Sequence, residues 1–212
     1  MAVVVTVAQQ KGGAGKTTLV AQLAAALAAS HRVAALDVDP QASLMRWLAA
    51  RKSSLRAASA GLTVADCAGW RLAGEVSRLA RGHDVVLVDS PPHAEPEARL
   101  AVRAADLVLV PLQPSPLDVW ATAQTLALAA AEKRPVRLVL NRAPPRGRLL
   151  DATRAELLRG ETPVLDAALG NRSAFALAMQ IGLGVTESAP KGLAARDVRA
   201  VIAELSHWLG SA

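Results

Sequence analysis

The run Val3-Val4-Val5-Thr6-Val7-Ala8-Gln9-Gln10-Lys11-Gly12-Gly13-Ala14-Gly15-Lys16-Thr17-Thr18 decides how this chain is read. Its first six residues are almost all apolar and rich in valine, as a strand buried on both faces requires. Three glycines then free the backbone to bring consecutive N–H groups onto one anion. From Leu19 to Ala29 the chain is rich in Ala and Leu, and a helix opening there points its positive end at the same spot. Strand, glycine loop and helix in that order make a phosphate-binding loop. Lys16 is placed to reach the β- and γ-phosphates, and the Thr17 hydroxyl to meet Mg2+. Glycines in a packing turn would explain the bend, but not two lysines framing them and two threonines following.

The spacing departs from the common G-x-x-x-x-G-K-[ST] form. Gln10 stands where the first glycine belongs, and Lys11 adds a second lysine at the start of the loop. K-G-G-A-G-K-T-T resembles the deviant Walker A loop of the ParA/MinD superfamily of P-loop ATPases. The resemblance implies an α/β fold, a three-layer, mostly parallel twisted sheet flanked by helices, over residues 1–212 as a single domain. It implies ATP and Mg2+ as cofactors, with Lys11, Gly12, Gly13, Ala14, Gly15, Lys16, Thr17 and Thr18 around the nucleotide. It also implies that Lys11 crosses a two-fold nucleotide sandwich to the partner's phosphates, making Lys11 and Lys16 catalytic.

Further strands end in residues of the same kind. Arg32 to Asp39 reads as a buried strand whose tip, Asp37-Val38-Asp39-Pro40-Gln41, lies where parallel sheets bind ligands. Asp39 there either caps the helix expected over Ala42–Arg51 or faces the nucleotide. The resemblance favours the second, with Asp39 positioning water and the magnesium shell and Asp37 supporting it. Asp84 to Asp89 is another buried strand with an acid at its tip, a Walker B pattern, so Asp89 joins Thr17 and Asp39 as a metal residue. Ser90 to Glu97, including His93, is similar to a γ-phosphate-sensing switch.

After the strand Asp106–Pro111, the segment Pro111 to Asp118 resembles P-x-x-P-S-x-x-D of small ParA proteins, which implies that this loop, with Pro114, abuts the nucleotide and the dimer interface. Otherwise it is a plain connector into a helix over Val119–Glu132. Pro135 to Arg142 forms a strand ending in Asn141-Arg142. The likeness puts Asn141 beside adenine with Arg142 next to it, although Asn after a strand is commonly a turn residue. A short strand near Leu62–Val64, a helix over Arg71–Arg81, a last strand over Thr162–Leu165 and a closing helix from Lys191 to Leu209 complete the reading. Arg172 with Gly182 to Glu187 resembles the R-x(n)-G-x-x-V-x-E tail of small partition ATPases.

Bulk properties narrow the function. The chain has 212 residues, 52% apolar and 2% aromatic, and lacks a long apolar run, so no membrane span or signal peptide is expected and it reads as cytoplasmic. A single cysteine, Cys67, excludes an internal disulfide framework or a cysteine-held cluster and reads as a buried structural thiol. Trp47 and Trp70 read as core or interface packing. Net charge is +6, concentrated in residues 133–159, and favours a polyanion partner or else forms a solvated arginine face.

The small ParA pattern therefore implies an ATP-dependent homodimer on nonspecific double-stranded DNA, nucleoid-associated and without an N-terminal DNA-reading domain. A ParB-like or cargo adaptor would stimulate its slow hydrolysis. Arg142, Arg146, Arg148, Arg172, Lys191 and Arg196 are the expected DNA contacts. A ligase or synthetase on the same scaffold, or a nucleotide-gated regulator without DNA binding, are the alternatives.

Overall fold

The computed structural model describes residues 2–54, 61–92 and 95–209. Seven strands, β1 (Val3–Val7), β2 (Val33–Asp37), β3 (Leu62–Asp66), β4 (Val85–Asp89), β5 (Leu107–Leu112), β6 (Val136–Ala143) and β7 (Val164–Gly170), form one sheet ordered β3-β2-β4-β1-β5-β6-β7. Every pairing is parallel. Connecting them are α1 (Lys16–Leu27), α2 (Ser43–Ser54), α3 (Leu72–Leu79), α4 (Glu95–Ala104), α5 (Pro116–Ala131) and α6 (Arg148–Leu157). The tail holds α7 (Ser173–Gln180), α8 (Val185–Ser188), α9 (Leu193–Glu204) and α10 (Ser206–Leu209).

Alternation along buried strands sorts the core into two sides. Val5, Val7, Ala35, Leu87 and Leu109 pack with α1, α2 and the tail helices. Val4, Leu36, Val86 and Val88 face α3 and α4, while Val108, Val110, Leu138 and Leu140 face α4, α5 and α6. Trp47 is 2% exposed in the first of these clusters. Trp70, in a 3-10 turn over Gly69–Arg71, is 79% exposed and so is not core. Cys67 is only half-buried, because it follows an edge strand with one open side.

The last strand runs to Gly170, well past Leu165, because α9 covers it. Glu204 accepts from Asp166 N and Ala167 N at 2.9 and 2.6 Å, and Asp197 accepts from Gly170 N at 3.0 Å. The closing helix begins at Leu193 and breaks at Leu205 before α10, yet Val201, Leu205 and Leu209 are buried, packing it on the core. The basic segment 133–159 is not one patch. Lys133, Arg134 and Arg137 lie at the start of β6, and Arg142, Arg146 and Arg148 lie at or beyond its end, roughly 20 Å away along the strand. Among the described residues no helix is long and apolar enough to cross a membrane.

Candidate nucleotide site

The phosphate loop joins β1, the central strand, to α1. Gly13 and Gly15 have φ of 78° and 93°, in the region that favours glycine, and a Cβ on Gly15 would run into the Asn141 amide. The side chain of Lys16, the first residue of α1, is buried and curls back so that Nζ donates to Gln9 O at 2.9 Å. Burial lowers its pKa, opposed by the negative charges of Asp89 and Asp39. Of the residues expected here, Gly12, Gly13, Gly15, Lys16, Thr17, Thr18, Asp39 and Arg142 share one cavity of about 290 Å3. Ser43, Pro92 and Met179 complete its lining. Pro92 falls within the switch-like stretch, but nothing in the sequence marked Ser43 or Met179. His93 and Ala94 lie outside the described residues.

Strand register brings the acids together. Asp89 pairs with Val7 on one side and with Asp37 on the other. Sequence left open whether Asp39 caps α2, and the structure gives that task to Asp37. Its Oδ2 accepts from Leu44 N at 3.0 Å and Met45 N at 3.1 Å. Burial raises the Asp37 pKa in spite of these bonds. Asp39 Oδ1 accepts from Gln41 N in the turn, at 2.9 Å, and Asp39 lines the cavity.

Asp89 is fully buried, and neither carboxylate oxygen has a hydrogen-bond partner among the described residues. Burial pushes its pKa up to about 7, aided by Asp37 and Asp39. The Thr17 hydroxyl close by and the Lys16 charge pull the other way. A buried orphan carboxylate beside a threonine hydroxyl suits Mg2+, which takes few protein ligands and completes its shell with water and phosphate. Among the described residues no three His, Cys, Asp or Glu side chains cluster to hold a metal by themselves.

The second lysine lies outside this cavity. Lys11 Nζ is 2.6 Å from Asp118 Oδ2, with 35% of the lysine side chain exposed and Asp118 buried. Asp118 also accepts from Ser115 Oγ at 2.5 Å. Burial would raise its pKa, but Lys11 and the hydrogen bonds from Ser115 and Gln113 hold it below the ordinary carboxylate value. Gln113 Nε2 donates to Gly13 O at 3.3 Å, so Gln113 is the residue of this turn that reaches the loop. Pro114 is buried and lines neither this cavity nor the adjoining one.

A larger cavity of about 650 Å3 adjoins Gly15 and Thr18 and runs past Asn141 and Arg142 to Leu169, Phe175 and Met179. Asn141 Nδ2 donates to Ala14 O at 2.8 Å, and its Oδ1 accepts from Arg142 N at 2.9 Å. The amide thus braces the loop from a position on the cavity wall. Arg142, at φ 50°, lines both cavities and has no side-chain partner among the described residues. Arg172 also lines the larger cavity, but its guanidinium is drawn to Asp197 at 2.8 Å. Arg146 and Arg148 are exposed beyond the end of β6, and Lys191 and Arg196 are exposed before and in the first turn of α9.

The tail motif serves the helices behind the loop. Val185 N donates to Gln22 Oε1 on α1 at 2.7 Å. Glu187 takes two hydrogen bonds from Arg51 on α2, at 2.6 and 2.8 Å, and Arg51 also donates to Gly182 O at 3.0 Å.

A glycine loop over a helix start, a buried lysine and an orphan carboxylate define a Mg2+–nucleotide site of the P-loop class. The chain belongs to the CobQ/CobB/MinD/ParA nucleotide-binding domain family, whose pattern it matches over residues 5–185, and is a ParA/MinD-superfamily P-loop ATPase. It is 36% identical over 208 residues to the maintenance of carboxysome distribution protein A of Gloeobacter kilaueensis, covering 95% of this chain and 93% of that one. Its counterpart from Halothiobacillus neapolitanus is 30% identical over 197 residues, covering 90% of each. In fold it matches the McdA–ATP complex of Cyanothece, with TM-score 0.83 at 17% identity, covering 100% and 97% of the two chains. MinD from Pyrococcus horikoshii, solved with Mg-ADP, gives TM-score 0.81 at 16% identity, covering 99% and 98%.

Proposed function

We propose that this chain is a ParA-type positioning ATPase of one domain that binds ATP and Mg2+ and dimerises around the nucleotide. In that state it binds nonspecific double-stranded DNA in the cytoplasm, on the nucleoid, and an adaptor stimulates hydrolysis. Thr17 and Asp89 would hold Mg2+, which offsets phosphate charge when bound. Lys16 supplies positive charge at the β- and γ-phosphates, and Asp39 orients the attacking water. With no strong base among the described residues that line the cavity, hydrolysis rests on positioning and charge and is slow unaided.

One observation carries the dimer. Lys11 lies beside its own site rather than in it, half-exposed and tethered by a single ion pair to Asp118. A lysine so placed can swing to a second nucleotide. The exposed cations Arg146, Arg148, Lys191 and Arg196, without a side-chain partner among the described residues, support the DNA reading, and similarity to carboxysome-distribution proteins over 90% or more of each chain supports a protein cargo.

The test is sedimentation of the protein with ADP or ATP–Mg2+, with and without nonspecific duplex. Dimers formed only in ATP that co-sediment with DNA, less so as salt rises, are expected. An ATP-bound protein that ignores DNA at low salt would remove the DNA step, and dimerisation unaffected by Lys11→Ala would remove the crossing lysine.

A further inference from the structure

Helix α5 holds two buried threonines that spend their hydroxyls differently. Thr122 Oγ1 donates to Val119 O of its own helix at 2.5 Å, the ordinary way for a buried helical threonine to be satisfied. Thr125, 1% exposed and one turn further on, directs its hydroxyl to a segment 116 residues earlier. Its Oγ1 donates to Gln9 Oε1 at 3.2 Å and accepts from Gln10 N at 3.3 Å. Asp118, two helical turns before Thr125 and so on the same side of α5, holds the Lys11 ammonium. One face of the helix thus grips three consecutive residues, Gln9, Gln10 and Lys11, where β1 enters the phosphate loop.

Gln9 carries that grip to the chemistry, because both lysines of the loop hang on it. Lys16 Nζ donates to Gln9 O at 2.9 Å, and Lys11 N donates to Gln9 Oε1 at 3.4 Å. Gln9 is 1% exposed, and its Nε2 has no hydrogen-bond partner among the described residues. What orients this buried amide is therefore its Oε1, shared by Thr125 and Lys11 N. Neither Gln9 nor Thr125 lines the two nucleotide cavities, so their effect on hydrolysis passes through the lysines. We infer that Thr125 is a positioning residue for ATP hydrolysis. Through Gln9 it fixes the backbone that carries Lys11 and the carbonyl on which Lys16 rests. The role rests on the two lysines acting at the phosphates, as read above. Charge set in place beforehand costs no reorganisation when the transition state forms, so loosening its support lowers turnover more than binding.

The experiment measures ATP turnover, and amide hydrogen exchange of the nucleotide-free protein, in Thr125→Val, Thr125→Ala, Thr125→Ser and Gln9→Met. Valine keeps the shape of threonine without the hydroxyl, and alanine removes it with less bulk should the valine variant fold poorly. Both are expected to show a kcat about tenfold lower with KM within about threefold of the wild type. Exchange at the Gln10 and Lys11 N–H groups should quicken in both, and Thr125→Ser should restore turnover and exchange together. The pair Thr125→Val/Gln9→Met should lose no more kcat than the worse single variant, because the two break one linkage. A valine variant that unfolds more easily yet keeps wild-type kcat and loop exchange makes Thr125 a structural residue and overturns the assignment. Gln9→Met with wild-type kcat overturns it equally, and additive losses in the pair overturn the route through Gln9. Lys16→Ala that still hydrolyses ATP overturns the reading of the lysines instead, whatever Thr125 does.

Discussion

Two groups of buried charge sit at opposite ends of α2, and the chain finishes them differently. At one end Arg51, 2% exposed, is closed off by both oxygens of Glu187 and the Gly182 carbonyl. At the other, Asp89 is 0% exposed with neither oxygen bonded among the described residues, and Lys16 beside it has the Gln9 carbonyl. Burial of charge is costly in both places. Where the fold supplies the partner, the charge is architecture. Where it leaves the partner out, the charge awaits a ligand.

Breaking the closed group should cost the most stability. Arg51→Ala leaves Glu187 without its partner in a half-buried place, and a loss of about 3–5 kcal/mol is expected by urea unfolding. Gly182→Ala attacks the same group through the backbone. Gly182 has φ 70°, and an added Cβ would meet the Arg51 backbone. A loss of about 2–4 kcal/mol is expected, and a wild-type midpoint would show that the tail can move aside.

The two neighbouring aspartates divide along the same line. Asp37→Ala removes the α2 cap and should cost about 1 kcal/mol. Asp39→Ala should leave the unfolding midpoint within about 0.5 kcal/mol and reduce ATP hydrolysis about a hundredfold or more. Equal effects of the two on stability would erase the distinction.

The open group should show the smallest, or an opposite, effect on stability. Asp89→Asn removes a carboxylate the fold does not satisfy, so without Mg2+ and nucleotide it should unfold no more easily at pH 8 than the wild type, while hydrolysis is lost. The pH dependence follows. The carboxyl has an ordinary value of 3.8 and a folded value of about 7, so between them the folded state holds a proton the unfolded state has released. Stability from this group is therefore present at low pH, declines as pH rises through that window and levels off above 7. Nucleotide-free wild-type protein should thus lose melting temperature between pH 5 and pH 7, and Asp89→Asn should flatten that part of the profile. A parallel decline in the variant would assign the slope to other groups, Asp37 first among them.

Much of the open group was legible from sequence, because its pieces are local. Lys11 to Thr18 are consecutive, and each acid ends an apolar run, so strand and tip are read together. The closed group was legible only as a tail motif. Nothing in one dimension joins Arg51 to Glu187 across 136 residues. Trp70 shows the same limit, since its type fits a core and its position in an exposed turn does not.

By itself the sequence determined the parallel α/β class, the phosphate loop and the acids at the strand tips, because these follow from nearest-neighbour chemistry and the period of buried strands. Tertiary structure decided which aspartate caps and which faces the cavity, because register and helix approach set where a carboxylate finds N–H groups. It split the basic run 133–159 between two ends of the sheet, because β6 carries the chain from one end to the other. It also placed Asp118 and Thr125 on the buried side of α5, where they bond Lys11, Gln9 and Gln10 of the phosphate loop, because that part of the helix meets the loop while Ala129 further along meets the apolar core.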